Sequence, residues 1–413
     1  MSIRINVPST RCRAGTTIAG SVSLHGDIDI DVETITISLL ARCKTKITRN
    51  SGQSSVTNRG RATLYYERRT LFKGPHTLHS AHEWDFELTL PARCTGRSQD
   101  RFTEEYRRYN QDPQQELPPS FQSTNHSFGW SADSFIKYEL EAHLSRCKTF
   151  AIDMKANKLL NFVTTRDIER PDPQLKRVPR ILSCSSQILQ TGREDSALTF
   201  KDRLEGIFSR KIPCARFTIS LRIPRVAVLG QHLPMFLELD HDIEGSSCPS
   251  PPLVRLKKIS VELGQMTDVQ CIREEILREG NEFRSWENSV FLSACDFSER
   301  MHEAPLVTER MDLRTVLQAR IGGYQTPTFS TFNIRRTYGF VVKLTLECAQ
   351  KNLKAEYRSG NVTVLAAEFI PSEGFASSST QMPEPLDREA IAPAYSANPD
   401  EGTLPSYEDV KVR

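Results

Sequence analysis

The 413-residue sequence predicts an all-β protein: two tandem β-sandwich domains followed by a disordered C-terminal tail. Three observations lead there. Apolar residues recur with period two in segment after segment. A similar turn-and-strand pattern opens each half of the chain. From Pro371 onward Pro, Ser, Ala and acidic residues dominate and the alternation stops.

The alternating segments come in order along the chain. Ile35, Ile37 and Leu39 alternate with Thr34, Thr36 and Ser38. Trp84, Phe86, Leu88 and Leu90 do the same, as do Tyr138, Leu140, Ala142 and Leu144. Later come Phe217, Ile219, Leu221 and Ile223, then Ile259, Val261 and Leu263, then Tyr338, Phe340, Val342, Leu344 and Leu346. Successive strand side chains point to opposite faces, so each segment buries one face and wets the other. Many such strands separated by turns imply antiparallel sandwiches or barrels.

Residues 14–24 read as a turn leading into a strand, and a second strand at 35–39 follows. Residues 229–239 open similarly and are followed by 259–263. Each half closes on a long alternating strand. These signals divide the chain into a sandwich at 1–165, a linker at 166–211, a second sandwich at 212–370 and a tail at 371–413. The linker carries Pro171, Pro173 and Pro179, with a strand expected at 180–189. The tail has too little apolar surface to offset the entropy of ordering it. Helical spacing is scarce. Phe102, Tyr106 and Tyr109 would line one face of a short helix over 100–110, or belong to an ordered polar loop.

Lys and Arg number 54 against 51 Asp and Glu, a formal charge of +3, which gives no global case for nucleic acid. Residues 1–6 lack the apolar stretch of a secretory leader, and no run of about 18 apolar residues spans a membrane. The ten cysteines are scattered without a CxxC pair and read as free thiols in a reducing, cytoplasmic setting. No Gly-rich phosphate loop, GxSxG, HExxH or acid pair stands out, so neither catalysis nor a cofactor is expected. His76, His79 and His82 are spaced by three, but on a strand such residues point apart, so no metal is expected.

Two motifs invite binding. Arg42, Lys44 and Lys46 alternate after a strand and should share one face, with Arg49 in the following turn. They could meet acidic or phosphorylated tails of membrane proteins through charge-assisted hydrogen bonds. The alternatives are a solvated sheet face or edge protection by charge. In the tail stands Leu404-Pro405-Ser406-Tyr407, and a poorer copy at Pro393 and Tyr395. A disordered Pro segment is pre-biased to polyproline II and docks with little further ordering. Two weak sites on one flexible tail gain from effective concentration. Chance recurrence in a Pro-rich tail is the competing reading.

The 14–24 segment with 33–39, Phe86-Glu87-Leu88-Thr89-Leu90-Pro91, Pro119-Ser120-Phe121 and Lys137-Tyr138 occur in the order seen in arrestins. Val228-Leu229-Gly230-Gln231 and Asn361-Val362-Thr363-Val364-Leu365 then resemble the two ends of an arrestin C-terminal domain. Over residues 1–368 the chain resembles the arrestin family, in its fungal-type α-arrestin group. The resemblance implies two arrestin-like lobes and an adaptor function. The lobes would recognise an integral membrane transporter or receptor, and the tail would recruit a HECT-type ubiquitin ligase for ubiquitin-dependent endocytosis. Leu404, Pro405 and Tyr407 resemble the PPxY peptide read by the ligase's WW domains, with Leu404 in place of the first Pro. Such a protein is cytoplasmic and recruited to plasma membrane and endosomes, with peripheral membrane contact. The alternative is an arrestin-fold trafficking scaffold acting without a ligase.

Overall fold

A computed structural model describes residues 2–26, 29–52, 54–79, 81–96, 109–147, 152–164, 174–189, 212–248, 250–272 and 281–367. The strands in the first half are β1 (Ser2–Asn6), β2 (Arg11–Cys12), β3 (Thr17–His25), β4 (Ile30–Ser51), β5 (Ser54–Leu78), β6 (His82–Thr89), β7 (Phe121–Ser127), β8 (Trp130–Arg146) and β9 (Met154–Phe162). Next come β10 (Leu175–Ser185), β11 (Cys214–Pro224), β12 (Val226–Val228), β13 (Phe236–Asp242), β14 (Val254–Ile272) and β15 (Asn281–Asp296). The last are β16 (Met311–Asp312), β17 (Phe329–Ser330), β18 (Ile334–Cys348), β19 (Lys351–Arg358) and β20 (Thr363–Leu365). Among the described residues only two short 3-10 turns, Gln187–Leu189 and Leu313–Thr315, are helical. The fold is all-β, as the period-two pattern requires. The helix considered over 100–110 falls outside the described residues except for its last two, which are not helical. Residues 371–413 lie outside them entirely.

The first hydrophobic core lies between two sheets. One is β1–β3–β6. The other is formed by β5, β4, β8 and β9, with β7 added beside β8. Ile35, Ile37, Leu39, Ala41 and Cys43 of β4 point into it, as do Tyr138, Leu140, Ala142 and Leu144 of β8. Burying each large aliphatic side chain contributes about 1.5–3 kcal/mol relative to exposure. Tyr138 lies flat against Phe162, ring centroids 4.6 Å apart, and its hydroxyl donates to the Pro118 carbonyl at 2.6 Å. A Cβ at Gly20 would collide with the Asn6 carbonyl, Val7 and Phe86, so glycine lets β1 lie close against β3. Phe329, Phe332 and Ile334, from far along the chain, complete this core, and Phe329 meets Phe121 edge-on at 5.1 Å.

A second core lies between the sheet β10–β11–β13–β16 and the strands β14 and β18 with β19. Phe217, Ile219, Leu221 and Ile223 of β11 face Val261, Leu263, Phe340, Val342 and Leu344. The Tyr357 hydroxyl, fully buried, donates to the Ile219 carbonyl at 3.0 Å and ties one sheet to the other. The strand expected at 180–189 is β10, Leu175–Ser185, followed by a 3-10 turn at 187–189. It pairs with β11 from Leu175↔Pro224 to Ser185↔Cys214. Pro179 is tolerated because, among the described residues, β10 is an edge strand bonded on one side only.

The two larger sheets are continuous. β14 meets β5 at Ile272↔Arg59, so one hydrogen-bonded order runs β17–β18–β14–β5–β4–β8–β9–β2. The junction is polar. The Thr45 hydroxyl donates to the Gln270 carbonyl at 2.7 Å and accepts from Asn333 Nδ2 at 3.2 Å. The fully buried carboxylate of Glu282 receives Arg49, Asn58 and Arg284. Gly60 is in close contact here as well. An added Cβ would stand 2.5 Å from Thr45 Oγ1 and 2.8 Å from the Gln270 carbonyl.

Candidate functional site

β4 carries the site because it is flanked on both sides, by β5 and β8. Its inward residues Ala41, Cys43, Thr45 and Ile47 are buried, so Arg42, Lys44 and Lys46 project from the opposite face. The register sets their neighbours. Lys44 lies between Arg61 of β5 and Phe135 of β8. Lys46 lies between Arg59 and Asp133, and Arg42 between Thr63 and Lys137. Three strands therefore place Arg42, Lys44, Lys46, Arg59, Arg61 and Lys137 together, against the carboxylates of Asp133 and Glu139. Of these, Lys44, Lys46, Arg59, Arg61 and Asp133 line a shallow depression of about 290 Å³, with Phe135 as its apolar member.

Directly opposed like charges on a sheet are destabilising. Here Lys44 opposes Arg61, Lys46 opposes Arg59 and Arg42 opposes Lys137. Glu139 neutralises Arg42 through an ion pair of 2.8 Å. Lys44, Lys46 and Arg59 make no ion pair among the described residues. Lys137 Nζ lies over the Phe135 ring at 4.7 Å from its centroid. Partial burial, followed by repulsion from Arg42, Arg61 and Lys137, pushes the Lys44 ammonium below its ordinary pKa. An anion seated among these groups would relieve that repulsion.

The second half of the chain offers a contrast. Two of its lysines stand beside carboxylates: Lys343 with Glu262 at 2.9 Å and Lys258 with Asp296 at 2.9 Å. The Lys343 hydrogen bond, then that of Ser289, holds Glu262 below the usual carboxylate range. Hydrogen bonds from Ser298 and then Lys258 do the same, more strongly, for Asp296.

Arg42, Lys44 and Lys46 share one face as their spacing predicts. Edge protection does not account for them, because β4 is interior to the sheet. Arg49, expected in a turn, lies inside β4 and is turned toward Glu282 at the junction, so it does not join the cationic face. Arg69 pairs with Glu67 at 2.9 Å, away from the depression. The alternation does not reveal Arg59, Arg61 and Lys137, which reach the face only through the hairpin register. The three histidines diverge: His79 pairs with Asp29 at 2.7 Å, His82 stacks on Trp84, and His76 faces Phe72. Leu404, Pro405, Tyr407, Pro393 and Tyr395 lie outside the described residues. No described helix is long and apolar enough to cross a membrane. Comparison of the chain with protein-family models and with curated proteins finds no match.

Proposed function

We propose that this chain is an adaptor of the α-arrestin type, whose cationic β5–β4–β8 face takes an acidic or phosphorylated segment of an integral membrane transporter or receptor. The tail then recruits a HECT-type ubiquitin ligase through Leu404, Pro405 and Tyr407, aided by Pro393 and Tyr395. Binding, not catalysis, is the activity, and it takes place in the cytoplasm at the plasma membrane and endosomes. The observation that carries the reading is the row of opposed cations on an interior strand. That arrangement lowers stability with no structural return, and it fits a polyanion. An extended acidic segment can follow β4 and meet Lys44 and then Lys46, with Arg61 and Arg59 beside them. The order of arrestin-like segments along residues 1–368 supports the rest.

Two experiments test it. A phosphoserine-rich acidic peptide titrated against the full chain should bind with an affinity that falls as salt rises. It should bind at least tenfold more weakly to a Lys44→Gln, Lys46→Gln, Arg59→Gln variant. Equal binding by both proteins rejects the cationic face as the recognition site. A peptide of residues 398–413 should bind the WW domains of a HECT-type ligase at micromolar affinity, lost in Tyr407→Ala and in Pro405→Ala. Absence of binding by this peptide and by the whole tail leaves the second reading, a trafficking scaffold that works without a ligase.

A further inference from the structure

We infer that Cys184 and Cys348 form a modification site, a thiol pair that hydrogen peroxide converts to a disulfide joining the two sheets of the second core. Cys184 lies near the end of β10 and Cys348 is the last residue of β18, so they belong to facing sheets. Both are buried in the same core. The Cys184 thiol donates to the Cys348 backbone carbonyl, Sγ to oxygen 3.2 Å. The tight turn through Ala349 and Gln350, with φ of 47° and 61°, fixes Cys348 at the head of the β18–β19 hairpin.

The pair is chemically asymmetric. The neighbouring Cys348 side chain, and after it the Lys351 ammonium, draw the Cys184 thiol below its ordinary pKa against the effect of burial, and Lys351 also donates to the Ser185 carbonyl at 2.5 Å. Cys184 beside it, together with burial, pushes the Cys348 thiol up and keeps it protonated. One sulfur is thus set up to attack and the other to resolve, the arrangement that redox-active thiols need. Burial alone acts on Cys12 and principally on Cys94, pushing them up to about 11 and about 12. Access is local. β10 is bonded only to β11 among the described residues, so its end can open without breaking a second ladder.

The chemistry balances with peroxide as oxidant. The Cys184 thiolate attacks one peroxide oxygen, the O–O bond breaks, and the departing hydroxide takes up the proton that the thiol lost. The Cys348 sulfur then attacks the Cys184 sulfenic acid. The S–S bond forms, and the sulfenic oxygen leaves as water with the Cys348 proton. Two thiols lose two electrons and two protons, and hydrogen peroxide becomes two waters.

The reduced full-length protein should be exposed to dilute hydrogen peroxide while folded, then mapped as non-reduced peptides. The expected result is a Cys184–Cys348 linked peptide and a whole-protein mass lower by two hydrogens. Tm should rise by roughly 5 °C and return on reduction. Cys184→Ser and Cys348→Ala should each abolish link and rise while keeping the β-sheet circular dichroism. If either variant does not fold, the wild-type peptide map decides alone. Three maps overturn the inference: Cys184 linked to Cys214 or Cys248, Cys184 over-oxidised beside a free Cys348, or both thiols intact while exposed Cys147 is oxidised.

Discussion

Replacing Lys44 with glutamine removes one charge from the crowded face and keeps most of the side-chain stem. Lys44 directly opposes Arg61, with Arg42 two residues back on its own strand and Lys137 diagonally across on β8. A directly opposed like-charge pair is worth about 0.2–1 kcal/mol. Two cations about 7 Å away in a water-like dielectric add about 0.2 kcal/mol each after screening at physiological salt. Attraction to Glu139 takes back about as much as one of them. Lys44→Gln should therefore stabilise the protein by about 0.5–1 kcal/mol near neutral pH. In urea unfolding this is a midpoint moved upward by a few tenths molar, roughly. The gain also has a definite pH dependence. The folded-state pKa of Lys44 lies below its ordinary value of 10.5, so between the two values the unfolded chain binds more protons. The parent's stability rises with pH across that window. The advantage of the variant is largest below the folded pKa and disappears above 10.5. It should also shrink when salt is raised. A variant that is less stable than its parent, or a gain indifferent to both salt and pH, refutes the repulsion on which the anion-binding face rests.

Three further substitutions probe the frame around that face. Tyr138→Phe leaves the Pro118 carbonyl without its 2.6 Å partner inside the first core, and should cost about 1–2 kcal/mol by denaturant unfolding. Glu282→Ala strips the shared partner from Arg49, Asn58 and Arg284 at the junction. Its expected cost is about 3 kcal/mol, at the low end for a buried pair because both arginines can turn toward solvent. Gly60→Ala drives a methyl against Thr45 Oγ1 and the Gln270 carbonyl, and should lower stability by about 1–3 kcal/mol. Amide exchange should then speed up at Gln270, whose N–H donates to the Asn333 carbonyl at 3.1 Å.

Strands with one wholly apolar face are plain in the sequence. Ile35–Leu39, Tyr138–Leu144, Phe217–Ile223, Ile259–Leu263 and Tyr338–Leu346 all lie in strands, and their apolar members are core. β5 escapes the same reading because Gly60 and Ala62 occupy inward positions where a large apolar residue would have marked the period. β4 continues past Leu39 through Arg42, Lys44 and Lys46, since a strand needs only one buried face and Cys43, Thr45 and Ile47 provide it. Half of the cationic face was legible for the same reason, as an alternation within one strand. The other half depends on which residue of β5 or β8 lies opposite which residue of β4, and three register shifts along β4–β5 hide that from any local pattern. The Cys184–Cys348 pairing is invisible for a similar reason, since the two thiols are 164 positions apart in the sequence.

The residues that complete the first core have a bearing on how the protein is made. Ile3 through Phe162 supply most of that core, yet Phe329, Phe332 and Ile334 close it. At about 5–20 residues per second, a ribosome takes roughly 10–30 s to travel from Phe162 to Ile334. The β4–β5 hairpin, built from contacts close in sequence, can form well before then. Phe121 and its neighbours must wait with their apolar surface uncovered. Throughout that interval the nascent chain is a natural client for a holding chaperone, and a fragment ending near residue 165 would keep that unfinished surface for good.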